Sequence, residues 1–372
     1  MHIVYFFTYG YSLETWSEAG ILNREIKLFK ELIKKHNLKF TIITYGNEAD
    51  LAFDLDENIN IVPIYTLIKK SKNKFIDLFN SFFLSKKIYK KIDHFDVIKQ
   101  NQLLGSWVSI LFKIQSRKPL YTRTGYDMFL FSLKEKKSIF KVILYYLLTQ
   151  ITLYFSNLYS ITSTEDRKFL SKYFIVNKNK LVKRSNWVEN IHDKKFMERK
   201  SKTILTVGRL EKQKNYEHLI KSLIDTDFSL DIVGTGTNKD DLLALAENCS
   251  VQINFLGILK NEDLLKLYTE YKYFVSSSLF EGNPKAILEA MSSGCVVIAR
   301  DIPNNSEIIK NYKNGILFNK ENSLNNILSN IEKIENIQEI SRDSIDHTKI
   351  FNSIYKLSDE IYSDFIYISK VK

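Results

Sequence analysis

The sequence SSSLFEGNPKAILEAMSSGCVVIA, residues 276–299, decides the fold of the second half of the chain. Pro284 suits the first position of a helix, because its φ is already helical and the amide hydrogen that it lacks would have no partner there. Gly294 suits the position just past a helix end, where a left-handed conformation is common. The pattern predicts a helix from Pro284 up to Gly294, followed by a strand near Cys295–Ala299.

Two carboxylates flank the start of this helix. Glu281 is predicted to lie in the loop before it, and Glu289 in its second turn. The first amides of a helix have no partner within the helix and lie at the positive end of its dipole. The N–H groups of Asn283, Lys285 and Ala286 are therefore a candidate anion site. A carboxylate, a phosphate cradle and a second carboxylate suit a nucleotide-sugar, which presents a sugar, a diphosphate and a ribose.

Short apolar runs alternate with helical patterns along the chain, which indicates parallel sheets with crossover helices. Strands are predicted near Ile3–Thr8, Phe40–Tyr45, Asn60–Pro63, Val97–Asn101, Leu120–Thr124 and Ser160–Thr164, and then near Thr203–Val207, Ser229–Val233, Gln252–Leu256, Tyr273–Ser277, Cys295–Ala299 and Ile316–Phe318. Ser17–His36 is the clearest helix of the first half. The polar stretch Glu189–Lys202 is the predicted linker. We therefore expect an α/β protein of two doubly wound parallel-sheet domains facing across a cleft.

The amino-acid composition indicates a globular protein without a disulfide scaffold or a zinc site. A chain of 372 residues with 44% hydrophobic and 26% charged residues is typical of a globular protein with room for two domains. Cys249 and Cys295 lack paired spacing, which argues against a disulfide scaffold or a zinc site. The amino terminus has neither a basic region nor a small-residue cleavage site, so no signal peptide is predicted and a cytoplasmic location is expected.

Charge is divided unevenly between the two halves. Residues 1–200 carry a net charge of +15, and residues 201–372 carry −4. The basic half suggests an anionic partner, either a phospholipid surface, a lipid-pyrophosphate acceptor or nucleic acid. Lysines and large apolar residues mix in Lys69–Lys91, which is typical of a helix on an anionic membrane or of a surface helix packed on a sheet.

The apolar run Ile139–Phe155 is short and polar for a membrane span. It is predicted to be a buried inter-domain or core helix.

Two further segments place charge and glycine at strand ends. In GRLEKQKN, residues 208–215, Gly208 permits a tight turn, and Arg209 and Lys214 bracket a loop before a helix; both side chains can bind phosphate. The segment IVGTGT, residues 232–237, places Gly234 in a strand-to-helix turn but lacks the third glycine of a dinucleotide fingerprint.

These segments together with FLGIL, residues 255–259, and the 276–299 stretch resemble, in order and spacing, the retaining glycosyltransferases of family 4. SNWVE, residues 185–189, is similar to that family's Asn-Tyr-Val-Asp segment. The resemblance is strong over about residues 160–320 and looser over the first 150. It implies the GT-B fold, with two Rossmann-like domains: 1–190 for the acceptor, 191–350 for the nucleotide-sugar donor, and a C-terminal helix, 351–372, packing back on the first domain.

The resemblance also implies a role for individual residues. Arg209 and Lys214 would hold the donor diphosphate, Glu281 would face the donor sugar, and Glu289 would bind the ribose hydroxyls. The implied catalytic set is Glu281, Arg209 and Lys214, and the implied donor-binding set is Gly10, Gly208, Arg209, Lys214, Gly234, Ile258, Gly282, Asn283, Pro284, Lys285, Ala286, Ile287, Leu288 and Glu289.

The chain departs from the family in its first half. A single glycine, Gly10, follows the first strand where many members have a pair. Thr124 stands about where many members place a histidine near the sugar, with Arg123 beside it. These two residues are the predicted acceptor or sugar side. Histidines form no cluster and no Asp-x-Asp pair stands in a plausible metal position, so neither a metal nor a cofactor is expected beyond a UDP- or GDP-linked sugar.

The favoured hypothesis is a retaining glycosyltransferase that uses a glycan or lipid-linked acceptor in bacterial surface polysaccharide or glycoconjugate synthesis. Peripheral contact with the inner face of the cytoplasmic membrane through Lys69–Lys91 belongs to it. Three alternatives stay open: a related GT-B epimerase or phosphorylase, a nucleic-acid-binding protein, and an inactive scaffold. Against nucleic acid, the lysines lack a recognised reading motif, and the carboxylates of the 276–299 stretch would repel phosphate unless they are ordered around the helix start as described above.

Overall fold

The computed structural model describes residues 1–125, 127–191 and 194–370. It divides into two compact units, one of Met1–Arg184 with the segment that begins at Leu357, and one of Ser185–Lys356. The second unit begins before the expected residue 191, because Asn186 and Val188 already bond to second-unit residues, Asn283 at 3.0 Å and Asn352 at 2.9 Å.

A parallel sheet forms the centre of the first unit. Within the described residues its order is β3-β2-β1-β4-β5-β6-β7. The strands are β1 (His2–Phe6), β2 (Lys39–Thr44), β3 (Ile59–Pro63), β4 (Val97–Asn101), β5 (Leu120–Arg123), β6 (Leu158–Ile161) and β7 (Leu181–Lys183). All pairs are parallel, as the alternation of strands and helices predicts. The edge strand β7 was not predicted, because three residues are too few to show a pattern.

Helices cover both faces of this sheet: α1 (Leu13–Glu18), α2 (Leu22–His36), α3 (Lys74–Ser81), α4 (Leu84–Tyr89), α5 (Ser106–Ser116), α6 (Met128–Lys134), α7 (Ile139–Phe155) and α8 (Thr164–Tyr173). The single helix expected over Ser17–His36 is wrong. Gly20 has a φ of 68°, and the N–H of Ile21 donates to the oxygen of Trp16 at 3.0 Å, which ends α1 before α2 begins.

The prediction of a buried helix over Ile139–Phe155 is correct in its bounds and wrong in its burial. Only one side of α7 packs inward, through Thr149, Thr152 and Leu153. The Thr152 hydroxyl lies 2.8 Å from that of Ser106 on α5. The opposite side is exposed over the length of the helix. In the described ranges, no helix is both long and apolar enough to cross a membrane.

The second unit repeats the architecture around the sheet β10-β9-β8-β11-β12-β13. Its strands are β8 (Lys200–Val207), β9 (Ser229–Val233), β10 (Ile253–Gly257), β11 (Tyr271–Ser276), β12 (Val296–Arg300) and β13 (Ile316–Phe318). Its helices are α9 (Tyr216–Lys221), α10 (Lys239–Asn248), α11 (Asn261–Tyr268), α12 (Lys285–Ser292), α13 (Pro303–Ile308), α14 (Leu324–Asn330) and α15 (Ile337–Phe351). The prediction of Rossmann-like, doubly wound parallel sheets is confirmed.

The order of the second sheet reverses between β8 and β11. Chain connections run outward in opposite directions from these two neighbours, and such a switch point opens a crevice at the carboxyl ends of the strands. The loops that follow β8 and β11 carry Lys214 and Glu281. The fold therefore brings the two predicted motifs to one edge of one sheet.

The C-terminal helix α16 (Ile354–Lys370) starts three residues later than the predicted segment, Phe351–Ile368. From Leu357 onward it belongs to the first unit. Asp364 on this helix accepts two hydrogen bonds from Arg184, at 2.5 and 2.8 Å, and one from the Tyr121 hydroxyl at 3.2 Å. In the predicted linker, positions 192 and 193 lie outside the described residues. From Lys200 onward that stretch is already strand β8.

Candidate active site

Lys214 and Glu281 form an ion pair at the carboxyl edge of the second sheet. The Lys214 Nζ lies 2.5 Å from the Glu281 Oε1, and the two side chains are 20% and 11% exposed. Lys214 ends a single 3-10 turn, Lys212–Lys214, after β8. Glu281 lies in the loop between β11 and α12. A pair this well covered keeps one cation and one carboxylate in fixed positions at the switch point.

Two side chains lock the loops that carry this pair. The Ser277 hydroxyl donates to the carbonyl oxygens of Lys214 at 2.8 Å and Asn215 at 3.0 Å. The Gln213 amide donates to the oxygen of Phe280 at 2.8 Å. Sequence reasoning missed both residues, although each stands inside a recognised motif, because neither is charged. Their bonds fix the two loops against each other before any ligand binds.

Arg209 takes a different position from Lys214. Its side chain is 63% exposed, and its guanidinium lies 3.1 Å from the Glu211 carboxylate. An exposed ion pair of this kind contributes little to stability, so it is easily exchanged for another partner. The exposed Arg209 side chain can therefore change its ion-pair partner easily, whereas the Lys214 side chain is held in place by its covered ion pair with Glu281.

Glu289 lies in the second turn of α12, as predicted, with its carboxylate almost buried. Its Oε1 is 2.8 Å from the Lys285 Nζ, and its Oε2 accepts a hydrogen bond from the Tyr268 hydroxyl at 3.5 Å. Burial raises the pKa of Tyr268, and the charge of Glu289 raises it further. The Lys285 Nζ also donates to the Asn261 Oδ1 at 3.3 Å. Tyr268 stays a neutral hydrogen-bond donor, which orients the carboxylate.

The prediction that Pro284 is the first helical residue is wrong by one position. Its ψ of 96° is extended, so Pro284 is the N-cap and α12 begins at Lys285. Its carbonyl oxygen accepts the N–H of Leu288 at 3.2 Å. At the other end Gly294 has a φ of 79°, and the N–H of Cys295 donates to the oxygen of Ala290 at 2.9 Å, so the predicted glycine stop is confirmed.

The loop before α12 is held by amide side chains. Asn304 donates to the oxygen of Gly282 at 2.6 Å, and Asn186 donates to the oxygen of Asn283 at 3.1 Å. The backbone N–H of Asn186 also donates to the Asn283 side chain at 3.0 Å. Because the carbonyl and the next N–H of a trans peptide point in opposite directions, the Asn283 amide points away from Asn304. Ala286, Ile287 and Leu288 continue the first turn of α12.

Glycine is required where the β8 and β9 loops meet. A Cβ on Gly234 would lie 2.0 Å from the carbonyl oxygen of Gly208, so no other residue fits without moving the backbone. The Gly208 N–H donates to Val233 at 2.9 Å, and the Gly234 N–H donates to Gly257 at 2.8 Å. Ile258, the residue that the resemblance places beside the base, follows Gly257 and is exposed.

The remaining predicted residues lie at the carboxyl edge of the first sheet. Gly10 follows β1 with a φ of 83°, and Arg123 ends β5. Thr124 is buried, and its N–H donates to the oxygen of Ser160 at 2.9 Å. Nearby, Asp127 caps α6 by accepting the N–H of Leu130 at 2.8 Å, and burial raises the pKa of Asp127 to about 6.

A metal centre is not evident. Across residues 1–125, 127–191 and 194–370, no group of three or more His, Cys, Asp or Glu side chains is placed to hold an ion. Positive groups at this edge of the second sheet include Lys214, Lys285 and Arg209, together with the amino end of α12. Such groups favour an anionic ligand.

Residues 188–349 match the family model described as glycosyl transferases group 1. The match covers the sheet and the loops just described. Among curated proteins, a Campylobacter jejuni N-acetylgalactosamine-N,N'-diacetylbacillosaminyl-diphospho-undecaprenol 4-alpha-N-acetylgalactosaminyltransferase is 35% identical over 104 residues, which is 27% of this chain and 28% of that protein. An uncharacterized glycosyltransferase of Methanocaldococcus jannaschii is 28% identical over 304 residues, 74% of this chain and 77% of that protein. The chain thus matches little more than a quarter of the length of some relatives and most of the length of another.

Solved structures share the fold over nearly the whole chain. Anabaena Alr3699/HepE, crystallised with UDP and glucose, has a TM-score of 0.74 at 15% identity and covers 99% of this chain and 100% of its own. A sucrose-phosphate synthase from Thermosynechococcus elongatus has a TM-score of 0.79 at 12% identity, with 100% of both chains covered. At these identities the likeness shows the fold alone, which is that of the GT-B glycosyltransferases.

Proposed function

We propose that the protein is a retaining glycosyltransferase that moves a sugar from a nucleotide-sugar to a glycan or lipid-linked acceptor, in bacterial surface polysaccharide or glycoconjugate synthesis. One observation carries the proposal: the Lys214–Glu281 pair and the amino end of α12 lie together at the switch point of the sheet that matches group 1 glycosyltransferases. A cation and helix amides at this position suit a diphosphate leaving group.

In the proposed reaction the bond between the anomeric carbon and the β-phosphate oxygen breaks. The acceptor hydroxyl forms its new bond on the same face of the sugar, and its proton passes to the leaving phosphate oxygen. Lys214, Arg209 and the first amides of α12 stabilise the negative charge that develops on the diphosphate. No metal is needed for this charge balance.

Glu281 supports a mechanism without a covalent glycosyl-enzyme. Its carboxylate is held at 2.5 Å by the Lys214 ammonium, and such a pairing lowers the electron density available for attack on a carbon. We assign Glu281 to binding the sugar hydroxyls and to positioning Lys214. Glu289 accepts the ribose hydroxyls, in a pocket that Tyr268 orients.

Donor and acceptor classes follow from the relatives by analogy. The Campylobacter jejuni relative is named for an N-acetylgalactosaminyl transfer to a diphospho-undecaprenol-linked sugar with an alpha linkage. An alpha product from an alpha-linked donor is a retained configuration. Several other relatives are named as subunits of UDP-N-acetylglucosamine–peptide N-acetylglucosaminyltransferases, and the Anabaena structure holds UDP. These names support a UDP-linked donor before a GDP-linked one. The lipid-linked acceptor is supported by the name of the Campylobacter jejuni relative.

A lipid-linked acceptor requires access to a membrane surface. We propose peripheral contact with the inner face of the cytoplasmic membrane through Lys69–Lys91. In this segment α3 exposes Phe75 and Phe79, and the turn before α4 exposes Phe82 and Phe83. Leu84 and Ile88 are buried, so the second half of the segment packs on the unit and the first half presents its apolar side to solvent.

A thermal-shift screen with UDP, GDP, ADP, CMP and TDP sugars tests the donor. A ligand at about one hundred times its Kd adds about 2.7 kcal/mol to the folded state, which raises the melting temperature by roughly 5 to 10 °C for a unit of this size. We expect the shift with UDP or GDP sugars, and its loss in Lys214→Ala. A flat profile for every nucleotide in the screen removes the proposal.

Product analysis separates transfer from the alternative GT-B activities. An epimerase converts the sugar-nucleotide without an acceptor, and a phosphorylase consumes a glycan with inorganic phosphate. We expect release of nucleoside diphosphate that depends on an acceptor glycan or lipid-linked sugar. Isomerised sugar-nucleotide without such release assigns the site to an epimerase.

A further inference from the structure

Helix α7 carries an exposed apolar face that the glycosyl-transfer site does not use. Its positions recur every three and four residues, which places them on one side of a helix of 17 residues. We define the α7 face as Ile139, Phe140, Ile143, Leu144, Leu147, Ile151 and Tyr154, each between 47% and 74% exposed. Large apolar side chains gathered in this way mark a surface that binds another apolar body.

A neighbouring loop extends this face. The N–H of Ile175 donates to the Gln150 side chain at 3.0 Å, and that side chain donates back to the carbonyl oxygen of Ile175 at 3.0 Å. The pair of bonds fixes the loop on α7, yet the Ile175 side chain is 88% exposed. The hydrogen bonds to Gln150 thus keep the Ile175 side chain exposed beside the α7 face. An apolar partner that binds the α7 face would also cover Ile175.

The positive charge around the α7 face favours a binding partner with an anionic surface. From residue 136 to residue 164 the sequence contains no aspartate or glutamate. Lys136 and Lys141 are exposed at the amino end of the helix, whereas the nearby Lys137 pairs with Glu135 at 2.9 Å. At the carboxyl end the Lys180 Nζ donates to the oxygen of Tyr154 at 3.3 Å. Lysines at both ends of an apolar helix can reach anionic head groups while the apolar side chains enter the acyl boundary.

Helix α5 links α7 to the helices α3 and α4. Helix α5 packs between α4 and α7 in one layer on the first sheet. Trp107 on α5 stacks on Phe82 with ring centroids 6.0 Å apart, and its indole N–H donates to the Ser81 hydroxyl at 2.8 Å. The α7 face and the exposed phenylalanines of Lys69–Lys91 therefore lie on helices that are connected through α5.

We propose that the α7 face docks on an anionic phospholipid surface, with α7 lying in the plane of the interface. The inference rests on exposure and charge in the first unit and does not depend on the proposed transfer chemistry. It deepens the proposed membrane contact by naming a second, more apolar element than the Lys69–Lys91 segment. A second copy of the chain is the competing occupant.

Sedimentation of the full chain with lipid vesicles tests the proposal. The probes are vesicles of equimolar phosphatidylcholine and phosphatidylglycerol, and vesicles of phosphatidylcholine alone. The variants are Phe140→Ser/Leu144→Ser and, as an independent pair, Leu147→Ser/Ile151→Ser. The matched control is Ile350→Ser/Tyr355→Ser, which removes two apolar side chains of the second unit that are 61% and 62% exposed.

We expect the wild type and the control to bind the anionic vesicles, with binding reduced by added salt. Each α7 pair should lower the partition coefficient by about tenfold or more, because the apolar area that enters the lipid is lost. Unchanged melting temperatures and unchanged UDP thermal shifts show that fold and donor site are intact.

Four results overturn the proposal. The first is no binding of the wild type to anionic vesicles, and the second is wild-type binding by both α7 pairs. The third is a wild-type dimer in sedimentation velocity that dissociates in the α7 pairs, which assigns the face to a second copy. Loss of binding in Phe75→Ser/Phe79→Ser alone, with the α7 pairs intact, assigns lipid contact to α3 and also overturns it. None of these results bears on the donor screen.

Discussion

Replacing Lys214 by alanine is the sharpest test of the candidate site. In the structure the Lys214 ammonium holds the Glu281 carboxylate at 2.5 Å, and only 11% of the Glu281 side chain is exposed. Lys214→Ala removes a cation from the proposed diphosphate position. It also leaves behind a carboxylate that now faces the incoming phosphates without its partner. Both effects weaken nucleoside diphosphate binding.

The expected magnitude has two parts. A hydrogen bond to a charged group contributes about 1.5 to 3 kcal/mol. Two like charges roughly 6 Å apart, at an effective dielectric constant near 20, repel by about 3 kcal/mol, which solvent reduces to about 1 at this partly open edge. The summed loss of about 2.5 to 4 kcal/mol corresponds to a Kd for UDP roughly 60 to 10³ times higher. The double variant Lys214→Ala/Glu281→Gln should recover roughly tenfold, since its repulsion is gone.

Isothermal titration with UDP and UMP measures these values without an acceptor. We propose that Lys214 contacts the β-phosphate, where the bond to the sugar breaks and which UMP lacks, so UMP binding should fall much less than UDP binding. Lys212→Ala is the matched control, since this exposed lysine belongs to the same 3-10 turn and its loss changes the net charge equally. An unaltered ratio of UDP to UMP affinity in Lys214→Ala, or an equal loss in the control, refutes the reasoning.

Three further changes have defined outcomes. Glu289→Ala should cost about tenfold in UDP affinity and abolish the preference for UDP over its 2′-deoxy analogue in calorimetry, because the ribose hydroxyls lose their acceptor. Asp364→Ala leaves the partly buried Arg184 without its carboxylate and should cost about 1.5 to 3 kcal/mol in urea unfolding, against less than about 1 for the exposed Asp359→Ala. Burial lowers the pKa of Lys99 to about 7 from 10.5, so the unfolded chain binds more protons between these values and stability rises with pH. Lys99→Met should flatten that rise, which amounts to a few kcal/mol, and a slope identical to that of the wild type excludes the assignment.

The strands of both sheets could be predicted from the sequence, because parallel strands are buried on both faces and therefore form apolar runs in the sequence. Val97–Asn101, Ser229–Val233 and Ile316–Phe318 occur with the bounds that the pattern predicts. The errors have local causes. Gly20 ends α1 through backbone bonds that no periodicity shows, and the extended ψ of Pro284 delays α12 by one residue.

The contacts between residues of the candidate site were harder to predict from the sequence. Lys214 and Glu281 are 67 positions apart, and their contact depends on the adjacency of β8 and β11 in the sheet, which a linear pattern does not give. Gln213 and Ser277 act through the backbone of the facing loop, so their residue types carry no signal. The burial of α7 was misjudged because composition reports how apolar a helix is, and not which side faces the core.

The paired charges of the site determine how a donor can bind. Lys214 is held by Glu281 and Lys285 by Glu289, so each proposed ligand contact already has a partner of opposite charge. In the proposed binding mode, a diphosphate takes the place of Glu281 at Lys214, and the ribose hydroxyls take the place of Lys285 at Glu289. Lys214 then has a partner of opposite charge with and without the diphosphate, and Lys285 keeps its hydrogen bond to Asn261. A nucleoside without phosphates would leave Lys214 paired with Glu281, whereas a diphosphate would release Glu281 for contact with the sugar. We therefore propose that one ion pair couples binding of the leaving group to the availability of Glu281 for the sugar.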